Sequence, residues 1–346
     1  MRHIGIDLHT NSFTVCFLEA GQPERLATLA LQGDGLETFI NELLPTDEVA
    51  FEATGNSTWL KKQLEPHVGR IIIIPPWQFE VIRRSVKKTD KHDARAIAFF
   101  LSKDMLPETR VKDERLTRLS SLIATRHQLV NTRVSLINKV HGLFVRNGLK
   151  AKKEVLTSKT GFARSIALHE WDELERVELE VIASQLESLH TACKRLEKEI
   201  RAYAETLPGY DSLISIKGIG PLSAAVFLCT IGNIEDFAKP GKLAAYFGIT
   251  PRVSQSNDSH LVGRITKRGN KIARKTLVQC TLIAKRYSPY LQEFYERIKA
   301  RRGAGKAIIA TARKLLNTIF HTLKNKWVFE DFTTFKVQKS QIKAGH

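Results

Sequence analysis

The first hundred residues begin with short apolar runs separated by turn-forming residues. Residues 3–7, 13–18 and 26–31 are mainly apolar, and the gaps between them contain Asn, Gly and Pro. Runs of this length predict β-strands, and gaps this short predict turns that reverse the chain. The chain is therefore predicted to open with an antiparallel meander of three strands.

After residue 31 the pattern changes to alternating helices and strands. Residues 35–44 and 57–67 have helical spacing, whereas residues 49–53 and 69–74 are short apolar runs that predict strands. The second run ends at Pro75 and Pro76, and a further helical pattern starts near Asp90. Three strands followed by alternating helices and strands describe a mixed sheet with helices on both faces, an order that the ribonuclease H-like (RuvC-like) fold has.

Four carboxylates occupy unusual positions in this predicted domain. Asp7 ends one strand and Glu52 lies in another, each the only acid of an apolar run, where an unpaired charge is costly to bury. Asp90 and Asp93 lie three residues apart, on one face of the next helix. If the two strands are neighbours, the four acids could converge and hold two divalent ions for phosphoryl transfer. The alternatives are strand ends that face water and a helix start whose dipole favours acids.

A basic helical segment follows. Residues 116–149 have helical spacing broken only near Gly142 and Gly148, and residues 150–170 are predicted to link this helix to the next. From Leu179 apolar residues recur at steps of three and four, a heptad pattern that suits helix pairing, either in an internal hairpin or in a dimer contact. A solvated face would explain the cations equally well. The seam positions are Ile182, Leu186, Leu189, Cys193, Leu196, Ile200 and Tyr203, and the cations are Arg115, Arg118, Arg126, Arg133, Lys139 and Arg146.

The carboxy-terminal part is predicted to be mainly helical and strongly basic. Gly218 and Gly220 lie between two apolar helical segments, as in a helix–hairpin–helix, whose backbone N–H groups can bind phosphate; a tight structural turn is the alternative. Residues 259–292 contain no Asp or Glu and eight Lys or Arg residues, a surface that can neutralise phosphates. The predicted nucleic-acid-binding residues are Gly218, Gly220, Arg252, Arg264, Lys267, Arg268, Lys271, Arg274 and Lys275, and Lys285 and Arg286 complete the cations.

The overall composition favours a polyanionic partner. The chain has 54 Lys and Arg against 36 Asp and Glu, a formal net charge of +18. Its longest aliphatic run, residues 71–74, is far shorter than the roughly 18 apolar residues that a membrane span needs, and Asp7 stands where a signal peptide would be apolar. The four cysteines form no CxxC pair, which argues against a zinc cluster and a disulfide framework. We expect a cytoplasmic, nucleoid-associated protein without a membrane partner.

Several motifs together resemble one family. GIDLH, FEATG and KTDKHDARAIA, in this order, resemble the amino-terminal DEDD domain of the IS110/IS1111 family of transposases. ISIKGIGPLSAAVFLCTIG, LAAYFGITPR and GRITKRGNKIAR resemble its carboxy-terminal region, so the resemblance covers nearly the whole chain. It implies that Asp7, Glu52, Asp90 and Asp93 bind Mg²⁺, as two ions. It also implies a non-coding guide (bridge) RNA, donor and target DNA as substrates, and a homo-oligomer, either a dimer or a tetramer.

The same resemblance implies a nucleophilic serine shortly after the triplet TPR. Position by position this serine is Ser256, in the predicted polar loop TPRVSQSNDSH, although Ser254 lies two residues earlier and Asn257 stands where the family often has glycine. A serine hydroxyl needs activation to attack phosphorus, and His260, metal-bound water and a carboxylate of the first domain are the candidates. The segment RRGAGKAII lacks the spacing and the Ser or Thr of a phosphate-binding P-loop, which argues against an NTPase.

The sequence thus predicts three regions. Residues 1–110 form an RNase H-like DEDD metal-binding domain, residues 111–207 a helical coiled-coil connector, and residues 208–346 a mainly α transposase domain with the helix–hairpin–helix-like element, the serine and the basic face. The predicted function is a DNA transposase or recombinase that cuts and rejoins strands through a phosphoserine intermediate without ATP. One alternative is a RuvC-like hydrolytic junction-resolving nuclease that uses water as nucleophile. The other is a non-catalytic nucleic-acid-binding scaffold in which the acids are dispensable.

Overall fold

The chain folds into two compact units, Met1–Lys112 and Asp113–His346. The computed structural model describes residues 1–75, 89–108, 113–256 and 259–329, and for residues 253–256 and 259–262 it describes the backbone alone. Among the helices in these ranges, none combines the length and the apolar character that crossing a membrane requires. The four cysteines, all among the described residues, are buried and form no disulfide.

A five-stranded mixed sheet forms the centre of the amino-terminal unit. Its strands have the order β3-β2-β1-β4-β5, in which β1, β2 and β3 are antiparallel neighbours and β1, β4 and β5 run parallel. The predicted meander is confirmed, and the parallel pairs follow because a helix carries the chain back before each of the last two strands. The elements are β1 (Arg2–Leu8), β2 (Ser12–Glu19), β3 (Arg25–Ala30), α1 (Asp34–Glu42), β4 (Glu48–Glu52), α2 (Ser57–Leu64), β5 (Arg70–Ile74) and α3 (Asp90–Ser102).

Side-chain alternation along the strands gives the sheet two buried faces. Ile6 and Phe51 lie on one face and belong to a core that also contains Phe39 of α1 and Leu60 of α2. Ala50 lies on the other face, where it packs with Ile97 of α3 and other aliphatic residues. The predicted mixed sheet with a helix layer on each face is therefore confirmed, and α3 is the helix that covers the face opposite α1 and α2.

The second unit is mostly helical. Two helices of 33 residues each, α4 and α7, pack along one another. The segment that connects them packs at one end of this pair, and the residues after α7 pack at the other end. The elements are α4 (Glu114–Arg146), α5 (Lys153–Leu156), α6 (Lys159–Ala167), α7 (Glu173–Glu205), α8 (Tyr210–Ile214), α9 (Pro221–Ile231), α10 (Pro240–Tyr246), β6 (Pro251–Ser256), β7 (Ser259–Ile265), α11 (Lys271–Tyr287), α12 (Pro289–Arg302) and α13 (Ala304–Lys324).

The predicted break near Gly142 was wrong, whereas residues 150–170 do link the two long helices. Helix α4 runs through Gly142 without a break, because an interior glycine costs only about 1 kcal/mol and the neighbouring Val140 and Phe144 are buried. The predicted link over residues 150–170 contains two short helices, α5 and α6. Leu156 and Phe162 on these helices are buried in a small core where α4 ends and α7 begins. This burial explains why the segment is helical.

The α4–α7 pair is an intramolecular hairpin that carries part of the heptad seam. Ile182, Cys193 and Ile200 of the seam are buried, while the coiled coil as such stays a prediction. The boundary between residues 207 and 208 also stays a prediction, since Leu119 of α4 and Ile200 of α7 share one core with the residues that follow Pro208. Cations of α4 pair with acids of α7, namely Arg126 with Glu197, Lys139 with Glu178 and Arg146 with Glu175.

Candidate metal centre and nucleic-acid interface

Strand pairing brings Asp7 and Glu52 to the same end of the sheet. The parallel register of β1 and β4 ends with the pair Ile6 and Phe51, and the next residue on each strand is Asp7 and Glu52 respectively. Neighbouring residues in register point to the same face of a sheet, here the face that α3 covers. Both carboxylates are partly buried. The predicted neighbourhood of the two strands is thus confirmed.

Helix α3 brings the other two acids to this face. Thr89 caps the helix, its hydroxyl accepting a hydrogen bond from the backbone N–H of His92 at 3.3 Å, so Asp90 and Asp93 fall in the first turn. The helix lies very close to β1 at Gly5, where a Cβ atom would stand 2.2 Å from the Ala94 carbonyl oxygen and 2.4 Å from the Ala98 nitrogen. The absence of a side chain at Gly5 lets α3 pack directly on β1, the strand that carries Asp7.

The acids of α3 lie close enough to Asp7 to affect its pKa. Burial raises the pKa of Asp7, and the nearby carboxylates of Asp93 and Asp90 raise it further. His9 acts in the opposite direction on this pKa, through its charge and a hydrogen bond. The His9 Nε2 atom lies 3.2 Å from Asp7 Oδ2 and 3.3 Å from Asp90 Oδ2.

The donor set suits a divalent cation. Ligand atoms of Asp7, His9 and Asp90 all lie within 4.8 Å of one another. Carboxylate oxygens are the preferred ligands of Mg²⁺ and Mn²⁺, and their mutual repulsion favours a positive charge between them. Of the four predicted acids, Asp7 and Asp90 belong to this group, whereas Asp93 and Glu52 do not. Asp93 lies in the same first turn of α3 as Asp90, and Glu52 lies on the neighbouring strand. Sequence reasoning missed His9, although its position two residues after Asp7, just beyond the strand, was a usable signal.

The predicted nucleophile lies in the second unit, on a β-hairpin. Strands β6 and β7 are antiparallel, with Ser254 opposite Leu261 and Ser256 opposite Ser259. The prediction of a polar loop was therefore wrong, because the backbone groups of this polar segment pair with one another across two strands. Ser256 is the last residue of β6, and the directions of the side chains here, His260 included, lie outside the described part of the chain.

The predicted basic residues divide into exposed and structural ones. Arg252, Arg264, Lys267 and Arg268 are exposed around the hairpin, and Lys271 and Lys275 are exposed on α11. Arg274 differs, because it is partly buried and its Nη1 donates a hydrogen bond to the Phe247 carbonyl oxygen at 3.2 Å.

The two predicted glycines have different surroundings. Gly218 has a φ of +103°, and a Cβ atom there would stand 2.8 Å from the Ala284 nitrogen of α11. Its lack of a side chain therefore serves a close contact within the protein. Gly220 stands at the amino-terminal end of α9, and a Cβ atom there would meet open space.

Next to the hairpin lies a basic groove with a volume of about 1110 Å³. Arg264 and Lys267 line it together with four cations of α12 and α13 that sequence reasoning missed, and none of the described lining residues is acidic. Ile249, Ile265 and Ile309 are among the apolar residues of its wall. The four additional cations are Arg302, Lys306, Arg313 and Lys314.

Comparison with known proteins identifies the family. A protein-family model for the DEDD transposases of the IS110 type matches residues 4–146. A second family model, described as transposase of the IS116/IS110/IS902 family, matches residues 210–296. A probable family 20 transposase of Pseudomonas aeruginosa is 26% identical over 80% of this chain and 82% of its own length. The transposase for insertion sequence element IS1111A of Coxiella burnetii is 24% identical over 90% and 86%, and a pilin gene-inverting protein of Moraxella bovis 24% identical over 95% and 97%. The chain thus belongs to the IS110/IS1111 family of transposases, which are DNA recombination enzymes.

Proposed function

We propose that this transposase cuts and rejoins DNA strands through a covalent phosphoserine intermediate formed on Ser256. The observation that carries the proposal is the group formed by Asp7, His9 and Asp90, whose ligand atoms lie within 4.8 Å of one another. Asp93 lies in the same first turn of α3 as Asp90, and Glu52 lies on the strand next to that of Asp7. Four acids at the ends of strands and in the first turn of a covering helix suit phosphoryl transfer better than a structural role, because mutually repelling carboxylates destabilise a fold unless a cation binds them.

The acids hold the proposed Mg²⁺ ions, and Ser256 supplies the nucleophile. Bound Mg²⁺ would neutralise the phosphate and stabilise the attacking and leaving oxygens. The Ser256 hydroxyl forms a bond to phosphorus as the bond to the leaving sugar oxygen breaks, and its proton passes to a base, for which His260 and a carboxylate of the first unit are the candidates. A sugar hydroxyl of another strand then reverses this exchange. Because each step forms one phosphoester bond and breaks one, no ATP is needed.

The basic residues around the hairpin supply the nucleic-acid contacts of this proposal. Arg252, Arg264, Lys267, Arg268, Lys271 and Lys275 are exposed cations that suit phosphate contacts. Arg274, Gly218 and Gly220 stay in the proposed set, although the first two already have contacts within the protein. The family resemblance adds a guide RNA, which these surfaces would hold beside donor and target DNA, and a dimer or tetramer. The three-region division at residues 110 and 207 remains part of the same proposal.

A hydrolytic nuclease is the second candidate, since the same four acids would serve it with water as the nucleophile. The two functions differ in whether DNA becomes attached to the protein. A nicked suicide substrate, from which the cleaved strand cannot be rejoined, should leave DNA bound to the full-length protein in a denaturing gel. We expect this adduct to vanish in Ser256→Ala while Asp7, Glu52, Asp90 and Asp93 are intact.

Ser254→Ala is the matched control, because this serine lies on the same strand two residues away. The proposal requires the adduct to survive in Ser254→Ala. An adduct that disappears only in Ser254→Ala would support the chemistry and contradict the residue. Normal cleavage without any adduct would support the hydrolytic nuclease, and DNA binding without cleavage would support the scaffold.

A further inference from the structure

His9 occupies a fixed place between two of the candidate metal ligands. It lies just beyond the end of β1, and its Nε2 atom is 3.2 Å from Asp7 Oδ2 and 3.3 Å from Asp90 Oδ2. Its backbone is held on both sides, because its N–H donates to the Ser12 carbonyl at 2.9 Å and its carbonyl accepts from Asn56 Nδ2 at 2.9 Å. Two hydrogen bonds therefore fix the position of the backbone that carries the His9 imidazole.

The spacing of the three donor atoms suits one shared cation. Octahedral ions bind oxygen and nitrogen ligands at about 2.1 Å, so adjacent ligands around one ion stand about 3 Å apart. The two distances from His9 Nε2, 3.2 and 3.3 Å, are close to that separation. The side chain of His9 is 48% exposed, so the ring has room to adjust and the site is open to solvent.

We propose that His9 Nε2 is a direct ligand of the divalent ion that Asp7 and Asp90 hold, and that it shifts the preference of the site from Mg²⁺ towards Mn²⁺. The inference rests on the proposed metal centre and adds a ligand to it. Imidazole nitrogen binds Mn²⁺ and later transition metals more readily than Mg²⁺, which prefers oxygen ligands and retains its water. A purely carboxylate site would lack this bias.

The opposing interpretation makes His9 a counter-ion. A protonated imidazole that donates hydrogen bonds to both carboxylates would neutralise them and would have to leave when a metal ion arrives. The two interpretations predict opposite effects when the imidazole is removed. Loss of a ligand weakens Mn²⁺ binding, whereas loss of a competing cation leaves Mn²⁺ binding unchanged or strengthens it.

The test uses the full-length protein with Mn²⁺ alone and with Mg²⁺ alone, without DNA. In His9→Gln we expect the Mn²⁺ affinity, measured by electron paramagnetic resonance titration, to fall on the order of 10-fold, the scale seen when groups that support a metal ligand are removed. The Mg²⁺ affinity, measured by calorimetry, should change less. Electron spin-echo spectroscopy of the Mn²⁺ complex should detect a coupled ¹⁴N nucleus in the parent and lose it in His9→Gln.

His3→Gln is the matched control, because His3 lies on β1, the strand that ends just before His9, and beside another carboxylate, with its Nε2 atom 3.9 Å from Glu48 Oε2. This variant should retain the affinity and the ¹⁴N signal. A ¹⁴N signal that persists in His9→Gln, or an Mn²⁺ affinity that is unchanged or higher, would overturn the role of His9 and leave the carboxylate site standing. A parent protein that binds neither ion would overturn the metal centre together with the inference.

Discussion

Asp7 is the acid with the most constrained surroundings in the candidate metal centre. Its side chain is 19% exposed, it is the second-last residue of the central strand β1, and both burial and the carboxylates of α3 raise its pKa. A carboxylate in this position is unfavourable to the folded protein unless a cation or a proton compensates it. The presence of a carboxylate at this position therefore points to a function that requires its charge.

Asp7→Asn keeps the size and hydrogen-bonding capacity of the side chain and removes the charge. We expect recombination activity to fall by a factor of about 100 or more, because removing even a group that only supports a metal ligand lowers metal affinity or activity about 10- to 100-fold. Asp93→Asn should have the same effect. Folding and DNA binding should persist, measured by circular dichroism and fluorescence anisotropy. Asp34→Asn, in the first turn of α1, is the control and should retain activity. Full strand exchange by Asp7→Asn would contradict the metal centre.

At the scale of elements, the centre depends on how α3 seats on the sheet. The contact is made by the backbone of the helix at Ala94 and Ala98 against the glycine position of β1. Both alanines are fully buried, and their small side chains let the helix backbone come this close to the strand. Any atom added at this contact must push the first turn of α3, with Asp90 and Asp93, away from Asp7.

Gly5→Ala tests this seating. The added methyl group would overlap the Ala94 carbonyl oxygen, and overpacking of this kind costs typically about 1–3 kcal/mol. We expect an unfolding free energy lower by that amount and a weaker affinity for Mn²⁺. Gly55→Ala is the control in the same unit, because a Cβ atom there meets nothing within 4 Å. Equal stability and metal affinity in Gly5→Ala and the parent would show that the close approach is unimportant.

At the scale of the whole molecule, the positive charge is unevenly distributed. Cations of α4 pair with acids of α7, so that helical pair contributes little free positive charge. The basic groove next to the β6–β7 hairpin is lined by six cations, and the described part of its wall contains no acid. Much of the formal net charge of +18 is thus available to nucleic acid near the proposed nucleophile.

The double variant Lys306→Gln with Arg313→Gln tests the groove. If both cations contact duplex DNA phosphates, the slope of log affinity against log salt should become shallower by about 1.8, since each lost contact removes about 0.9. Arg297→Gln with Arg301→Gln is the control, because these exposed cations of α12 lie outside the groove. Affinity for a DNA duplex is measured between low and physiological salt. An unchanged slope in the groove variant would place the DNA elsewhere.

The sequence predicted what depends on local periodicity and missed what depends on tertiary contacts. Strand alternation and the lone charge of Asp7 are visible along the chain, so the sheet and the acids could be anticipated. His9 could not be singled out as a site residue from its position in the sequence, because only the fold brings its imidazole between Asp7 and Asp90. The β6–β7 hairpin was hidden by its polar composition, which also suits a loop. The groove cations on α12 and α13 are dispersed in sequence and adjoin Arg264 only after folding.

The split of the acids between two kinds of element links ion binding to folding. Asp7 and Glu52 lie at or next to the last residue of two strands of the sheet, whereas Asp90 and Asp93 belong to a helix that is docked on it. An ion that binds all four carboxylates binds tightly when α3 is docked on the sheet and weakly when α3 is detached from it. By mass action, a free ion concentration of 100 times the dissociation constant would stabilise the docked state by about 2.7 kcal/mol. A bound ion would therefore hold α3 on the sheet and slow amide hydrogen exchange in this helix before any DNA is bound.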